Sequence, residues 1–228
     1  KVDADWDEDY LMLLSDPREA PHRPRVVVQR RYARGDVLQA TPVVRAIRDK
    51  FPDYTLAVST DINEVFAGNP HVDLLMATSS GFRPRADDLV VNLDEAYERR
   101  PKQHILAAYA EAAGMALPNP ALELYLDRRD YLTVGNFFAQ AGALWQTVTR
   151  LVAVHMGATP DRSWPAMHWY TLISSLQADP RIGIVAVGAG SDFHPLAAPR
   201  VLDLVGRLDL RETAAAVAIA DVLVGPDS

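Results

Sequence analysis

The chain has 228 residues, a length that allows two modest lobes but not two large domains. Its formal net charge of -7 argues against a general nucleic-acid binder, because the affinity of such proteins depends on neutralising phosphates. It contains no cysteine, which excludes disulfides, thiolate metal sites and a cysteine nucleophile and fits a reducing compartment. No apolar run is long enough to span a bilayer, so we expect a soluble, cytoplasmic protein with at most peripheral membrane contact.

Residues 1–24 are predicted to form an acidic leader ahead of the folded part of the chain. Their Asp-x-Asp spacings do not follow a strand, so we interpret them as solvated acids and not as metal ligands. At the other end, Gly225-Pro226-Asp227-Ser228 directly follows an apolar run that is typical of a core strand. Because a domain rarely ends in such a strand without the element that covers it, we expect both ends to continue in a longer polypeptide.

Strand-length apolar runs and helical patterns alternate from Arg25 onwards. Residues 25–28 predict a strand, and the apolar spacing from Val37 to Phe51 predicts the helix that follows it. Further strands are predicted at residues 54–59, 72–76 and 89–93, a short helix at residues 61–67, and a longer helix at residues 102–113. This rhythm predicts βαβ units and a parallel sheet.

A helical tract at residues 132–144 is expected to bridge this first lobe to a second one. Beyond it, strands are predicted at residues 148–156, 182–187 and 221–224, and helices at residues 169–176, 196–203 and 211–220. We place the boundary near residues 143–146. The sequence therefore predicts an N-terminal Rossmann-like lobe at residues 25–145 and a C-terminal Rossmann-like lobe at residues 146–228, in the α/β class.

Asp36 is the first candidate functional residue, because it lies in the turn Arg34-Gly35-Asp36 between the first strand and its helix. In open α/β sheets such turns lie where ligands bind. The alternative is that Asp36 caps the helix, although a competing helix start at Thr41-Pro42 weakens that interpretation. A positive cluster flanks this acid, and it is either a solvated face or a contact for an anionic ligand. The cluster consists of Arg30, Arg31 and Arg34.

The second candidate site is the turn after the strand at residues 148–156. Gly157 and Ala158 would let a ligand approach the backbone, Thr159 offers a hydroxyl, and Arg162 offers a cationic fork that suits phosphate. The helix start after Trp164 would favour an anion. An ordinary loop with a solvated arginine is the alternative interpretation.

A third turn begins at Gly188, where the run through Asp192 either cradles part of a nucleotide or forms a tight turn. It lacks the full dinucleotide fingerprint. The six histidines show no metal-ligand spacing, and no Gly-x-Ser-x-Gly elbow is present, so zinc chemistry and serine hydrolysis are not expected.

The order of motifs resembles glycosyltransferase family 9, the lipopolysaccharide heptosyltransferases and their relatives. The resemblance covers nearly all of the chain from Arg25 onwards. Its motifs are Gly35-Asp36-Val37-Leu38 with Thr41-Pro42 and Arg45, Phe51-Pro52, Gly68-Asn69-Pro70 with Val72-Asp73, His155-Met156-Gly157-Ala158, Trp164-Pro165, and Asp221 through Ser228.

The resemblance implies a GT-B architecture with an acceptor lobe and a donor lobe. It implies inverting, metal-independent transfer of a sugar, with ADP-heptose as the expected donor and a glycan or other hydroxyl compound as acceptor, without a cofactor. Its general base falls on Asp36, its donor-phosphate loop on Gly157, Ala158 and Arg162, and its donor-sugar aspartate on Asp227. Beside the resemblance, we predict donor contacts at Thr159, Gly188 and Ser228 and acceptor contacts at Arg31, Arg34 and Gly35.

The phosphate loop departs from the family, which often has hydroxyl residues and lysine where this chain has Gly157, Ala158 and Arg162. The family motif also continues beyond Asp227-Ser228 with a glycine and a histidine, which implies that the donor lobe is incomplete in this chain. Two alternatives to a transferase remain open at this point. One is a GT-B-like nucleotide-sugar epimerase, and the other is a non-catalytic binding domain.

Overall fold

The structure is a computed structural model that describes residues 23–78, 83–100, 102–195 and 197–226. It divides into two compact units, Lys1–Tyr125 and Leu126–Ser228. This division falls earlier in the chain than the predicted boundary at residues 145/146. The reason is that helix Arg128–Gln140 packs on the second sheet, where its Val134 joins a cluster with Ala153 and Val185.

Unit 1 is a four-stranded parallel sheet with the strand order β3-β2-β1-β4. Its first half comprises β1 (Arg25–Gln29), α1 (Arg34–Leu38), α2 (Thr41–Lys50), β2 (Thr55–Ser59) and a 3-10 turn (Asn63–Val65). Its second half comprises β3 (Leu74–Met76), β4 (Leu89–Asn92) and α3 (Ile105–Ala113).

The core of unit 1 forms around β1, whose residues Val26, Val27 and Val28 are all buried. A continuous run of β-branched residues suits a strand that has neighbours on both edges and cover on both faces. Helix α2 buries one face, which carries Val43, Val44 and Ile47. Because β1 is central, its carboxyl end lies between those of β2 and β4.

Unit 2 repeats this plan with a parallel sheet of order β7-β6-β5-β8. Its first elements are α4 (Arg128–Gln140), a 3-10 turn (Ala143–Thr147), β5 (Arg150–His155) and α5 (Ala166–Gln177). The others are β6 (Ile182–Val187), β7 (Val201–Asp203), α6 (Leu210–Ala218) and β8 (Val222–Val224).

Two predicted elements of unit 2 differ in the structure. The helix predicted at residues 196–203 is wrong where it meets β7, because Val201 pairs with Ile184 of β6 and the segment is an edge strand. Strand β8 exists, but it is not a core strand among the described residues, since Val222 is 52% and Leu223 53% exposed. Both differences concern edge strands, whose burial depends on neighbours that local sequence does not reveal.

Candidate functional site

Asp36 lies at the carboxyl end of the central strand of unit 1, in the short helix α1. The residue before this helix, Ala33, has a left-handed backbone with φ 63 and makes no side-chain cap. A positive φ is uncommon for a residue with a Cβ, so the local backbone strain lies at Ala33 and not at Gly35. Helix α2 begins separately at Thr41 with Pro42 in its first turn, as the competing helix start predicted.

The Asp36 carboxylate does not cap either helix. Its Oδ2 atom accepts hydrogen bonds from Arg30 Nη2 at 2.5 Å and from Tyr97 Oη at 3.3 Å. Within the described part of the chain, Oδ1 has no hydrogen-bond partner, and the side chain is 20% exposed. The carboxylate is therefore held by one oxygen and open at the other.

Arg30 is the buried cation of this site, with a side chain only 6% exposed. Its Nη2 atom also donates to Glu98 Oε1 at 2.9 Å, so one guanidinium serves two carboxylates. The guanidinium carbon lies 5.6 Å from the Tyr97 ring centre and 5.9 Å from the Tyr109 ring centre. Burial by itself lowers the pKa of Arg30, but the hydrogen bonds to Glu98 and Asp36 outweigh it and raise the pKa.

Both tyrosines belong to the same cluster as Arg30 and Asp36. Burial raises the pKa of Tyr109, and burial together with the Asp36 charge raises the pKa of Tyr97. The hydroxyl of Tyr109 donates to the backbone carbonyl of Asp36 at 3.4 Å. The tyrosines therefore remain neutral donors that hold the Asp36 turn on two sides.

The three predicted acceptor contacts lie next to Asp36, and two of them carry carboxylate partners. Arg31 donates through Nε to Asp94 Oδ2 at 2.6 Å, and Arg34 donates through Nε to Glu64 Oε1 at 3.3 Å. Gly35 lies in α1, and a Cβ added there would meet no atom within 4 Å. The geometry of this position therefore does not require a glycine.

Arg30 was predicted only as part of a positive cluster, and Tyr97 and Glu98 were not predicted. Both follow β4, which pairs with β1 in register Gln29↔Asn92. A usable signal existed, because the carboxyl ends of neighbouring parallel strands meet at one edge of the sheet. The missing information was that β4, and not a more distant strand, is the neighbour of β1.

The glycine-rich turns of unit 2 surround a side chain of the protein itself. A Cβ added to Gly157 would lie 2.3 Å from Asp192 Cγ, and one added to Gly188 would lie 2.5 Å from Asp192 Oδ2. The same Oδ2 atom accepts a hydrogen bond from the Ala189 amide at 2.7 Å and lies 3.6 Å from His155 Nε2. The sequence predicted either a nucleotide cradle or a tight turn at Gly188, and in the structure the Asp192 carboxylate occupies the space beside both glycines.

Substitution of Gly157 by alanine is expected to destabilise the protein by about 1–3 kcal/mol, because the new methyl group displaces the Asp192 carboxylate. The penalty should largely disappear in an Asp192→Ala background, which a double-mutant cycle measured by chemical denaturation would detect. Gly135→Ala is the matched control, since a Cβ at this helical glycine meets nothing within 4 Å. An equal penalty with and without Asp192 would contradict this explanation.

A pocket of about 550 Å³ adjoins the segment that follows β5 in unit 2. Among the predicted donor-binding residues that the structure describes, Arg162 alone lines it, and its side chain makes no hydrogen bond within the described segments. The Trp164 ring stacks on His168 at a centroid distance of 5.4 Å and meets Trp169 edge to face at 4.8 Å. The remaining lining residues are Val224, Gly225 and Pro226.

The other predicted donor contacts that the structure describes do not line this pocket. Ala158 accepts a 3.4 Å hydrogen bond from the Ser163 hydroxyl through its carbonyl. Thr159 donates to the Asp161 side chain, which lowers the pKa of that exposed acid. Asp227 and Ser228 lie outside the described residues.

Neither a metal centre nor a membrane segment is found in the part of the chain that the structure describes. No group of three His, Asp or Glu side chains lies close enough there to hold a metal ion. None of its helices combines the length and the apolar character that crossing a bilayer requires.

The two parallel-sheet units define the class of fold, which is the GT-B fold of glycosyltransferases. A structure of a family 9 glycosyl transferase from Veillonella parvula matches with a TM-score of 0.70 over 91% of this chain and 76% of that chain, at 18% identity. The resemblance read from the motifs is thus confirmed at the level of the fold.

Two Escherichia coli proteins of the same kind also match. The heptosyltransferase WaaC, solved with ADP, has a TM-score of 0.59 and 18% identity over 90% of this chain and 81% of its own. The iron-containing dodecameric glycosyltransferase TibC has a TM-score of 0.60 and 15% identity over 90% of this chain, which spans 54% of TibC. No family model matches the sequence, and no curated protein matches it.

Proposed function

We propose that the protein is a glycosyltransferase that moves a sugar from a nucleotide-diphosphate donor to a hydroxyl group of an acceptor. The observation that carries the proposal is the Asp36 carboxylate, with both hydrogen-bond donors on Oδ2 and an open Oδ1. It lies at the carboxyl end of a central strand, where open α/β sheets bind ligands. The fold shared with family 9 glycosyltransferases supports the proposal.

The proposed reaction is a single displacement at the anomeric carbon of the donor sugar. The acceptor oxygen forms a bond to that carbon while the bond to the diphosphate oxygen breaks, and the electron pair leaves with the diphosphate. Asp36 Oδ1 takes the acceptor proton as general base. Because attack and departure occur on opposite faces, the product has the inverted anomeric configuration.

Arg30 and Tyr97 keep Asp36 in position for this step. Their hydrogen bonds both end on Oδ2, which fixes the plane of the carboxylate and aims Oδ1 away from them. A base whose orientation is fixed in advance loses little entropy when the acceptor binds. Glu98 shares the Arg30 guanidinium and thereby limits how strongly the arginine holds the negative charge of Asp36.

Arg162 is the proposed cation for the departing diphosphate. Its side chain has no hydrogen-bonding partner in the described ranges and lines the pocket that also contains Trp164. A guanidinium offers two parallel donors to phosphate oxygens, so it neutralises developing charge without a metal ion. We expect ADP-heptose as the donor, in line with the family resemblance, and Gly157, Ala158, Thr159, Gly188, Asp227 and Ser228 remain predicted donor contacts.

Replacing Arg162 by glutamine is expected to weaken binding of ADP by about tenfold or more, since a hydrogen bond to a charged group contributes about 1.5–3 kcal/mol. Tryptophan fluorescence provides the measurement, because Trp164 lines the same pocket. Arg181→Gln is the matched control, since the side chain of this exposed arginine pairs with Asp179. ADP affinity that is equal in the two variants would remove Arg162 from the donor site.

The decisive experiment is a screen of nucleotide sugars against the full-length polypeptide with and without hydroxyl acceptors. Release of nucleoside diphosphate that requires an acceptor, together with a sugar-bearing product of inverted configuration, is the expected result. Conversion of the donor sugar without any acceptor would indicate an epimerase. Nucleotide binding without any turnover would indicate a binding domain.

A further inference from the structure

We propose that the acceptor bound beside Asp36 is an uncharged sugar ring that stacks on Tyr32, and that this surface does not select an anionic acceptor. The inference rests on the proposed function and adds the chemical class of its acceptor. It concerns the loop between β1 and α1 and the acidic residues that surround it. The charge balance and the exposed aromatic ring are independent observations that support it.

In the structure, the arginines of the positive cluster are outnumbered by the carboxylates that pair with them. Arg30 bridges two carboxylates, while Arg31 and Arg34 each pair with one. Three guanidinium groups therefore meet four carboxylates, which leaves one excess negative charge around Asp36. The four acids are Asp36, Glu98, Asp94 and Glu64.

The pair formed by Arg31 and Asp94 keeps its charges at neutral pH. Burial tends to raise the pKa of Asp94, but hydrogen bonds from Gln29 and from the backbone and side chain of Arg31 lower it overall. Asp94 therefore stays ionised beside Arg31. A carboxylate or phosphate on the acceptor would approach an arginine whose charge is already balanced, next to the excess negative charge at Asp36 and Glu98.

Tyr32 supplies the surface that would attract the sugar ring. It is 60% exposed and lies in the loop that leads into α1, the helix that carries Asp36. The Arg31 guanidinium carbon lies 5.3 Å from the centre of its ring and holds the ring in place. An exposed aromatic face fits the C–H face of a sugar ring, as in other sites that combine an apolar platform with a few polar groups.

Hydrogen-bond donors for sugar hydroxyls are present beside this ring. Arg31 donates a hydrogen bond through Nε to Asp94, and its two terminal nitrogens have no hydrogen-bond partner within the described ranges. Arg34 likewise uses Nε for Glu64. These N–H groups can donate to neutral hydroxyls while the charge of each arginine remains balanced by its own carboxylate. The aromatic face, the unused hydrogen-bond donors and the excess negative charge together favour binding of a neutral carbohydrate over an anionic one.

The test is saturation-transfer NMR on the full wild-type chain without donor, which prevents turnover. The probes are methyl glucoside and methyl galactoside, each compared with the methyl glycoside of its uronic acid, which differs only by a carboxylate at C6. We expect the neutral glycosides to bind and the uronic acid forms to bind at least about tenfold more weakly at low salt. Added salt should narrow the difference because it screens the repulsion.

Variants locate the binding on the proposed surface. Tyr32→Ala should abolish the signal of the neutral glycosides, whereas Tyr131→Ala, a change of an exposed tyrosine in unit 2, should leave it unchanged. Equal or tighter binding of the uronic acid forms, an unchanged signal in Tyr32→Ala, or no binding of any probe would each overturn the inference. Since no donor is used, failure of sugar transfer would refute the proposed function while leaving this binding result standing.

Discussion

Replacement of Asp36 by asparagine is expected to lower the rate of glycosyl transfer by about 10²–10⁴-fold, the usual contribution of a positioned general base. Asparagine keeps a carbonyl oxygen that can accept the hydrogen bond from Arg30, but it cannot take the acceptor proton. Folding and ADP affinity should therefore stay close to those of the wild type. The measurements are product formation, circular dichroism and ADP titration on the same preparation.

Glu111→Gln is the matched control for this variant, because it removes one carboxylate from unit 1 outside the Asp36 cluster. Glu111 pairs with Arg100, and its own side chain is 55% exposed. Its loss should change transfer only slightly. Wild-type transfer in Asp36→Asn would exclude the general base, and a stability loss of about 1 kcal/mol with full activity would support helix capping instead.

Replacement of Arg30 by methionine is expected to destabilise unit 1 by about 1.5–3 kcal/mol, because it removes the charged hydrogen bonds to two carboxylates. The Arg30 side chain is 6% exposed, whereas Asp36 is 20% and Glu98 40% exposed, so water can solvate the carboxylates only in part. Hydrogen exchange of peptides from β1 and β2 measures the effect on unit 1 alone. Transfer should also fall, since Asp36 loses its main support.

Arg34→Met provides the comparison for this prediction. Arg34 carries the same charge and also pairs with a carboxylate, but its side chain is 67% exposed. Exposed ion pairs contribute at most about 1 kcal/mol, so we expect little change in the exchange of β1. Similar losses in the two variants would show that burial and the double carboxylate contact of Arg30 are not the source of its effect.

The sequence predicted the parts of the fold that depend on local pattern. The apolar run at the start of β1 and the helical spacing after it placed Asp36 in a strand-to-helix turn, as observed. Strand β6 was predicted at its observed bounds of Ile182–Val187. These elements could be predicted because burial on one face, or on both faces of a central strand, leaves a short-range periodicity.

Edge strands and the division between the units could not be predicted in the same way. Strand β7 has only three residues, and its conformation depends on pairing with β6. The helical tract predicted at residues 132–144 was expected to bridge the lobes, but the observed helix Arg128–Gln140 packs its buried Val134 with the second sheet. In both cases the deciding contact is made by residues distant in the chain, which a periodic pattern does not identify.

The sequence by itself determined that an acid follows the first strand and that small residues follow the strand at β5. It did not determine what these residues touch. Tertiary structure brought Tyr97 to Asp36 across 61 positions of sequence and Glu98 to Arg30 across 68, and it placed Asp192 next to Gly157. The physical reason is that backbone pattern follows from local burial, whereas the partner of a charged side chain depends on which strands become neighbours in the sheet.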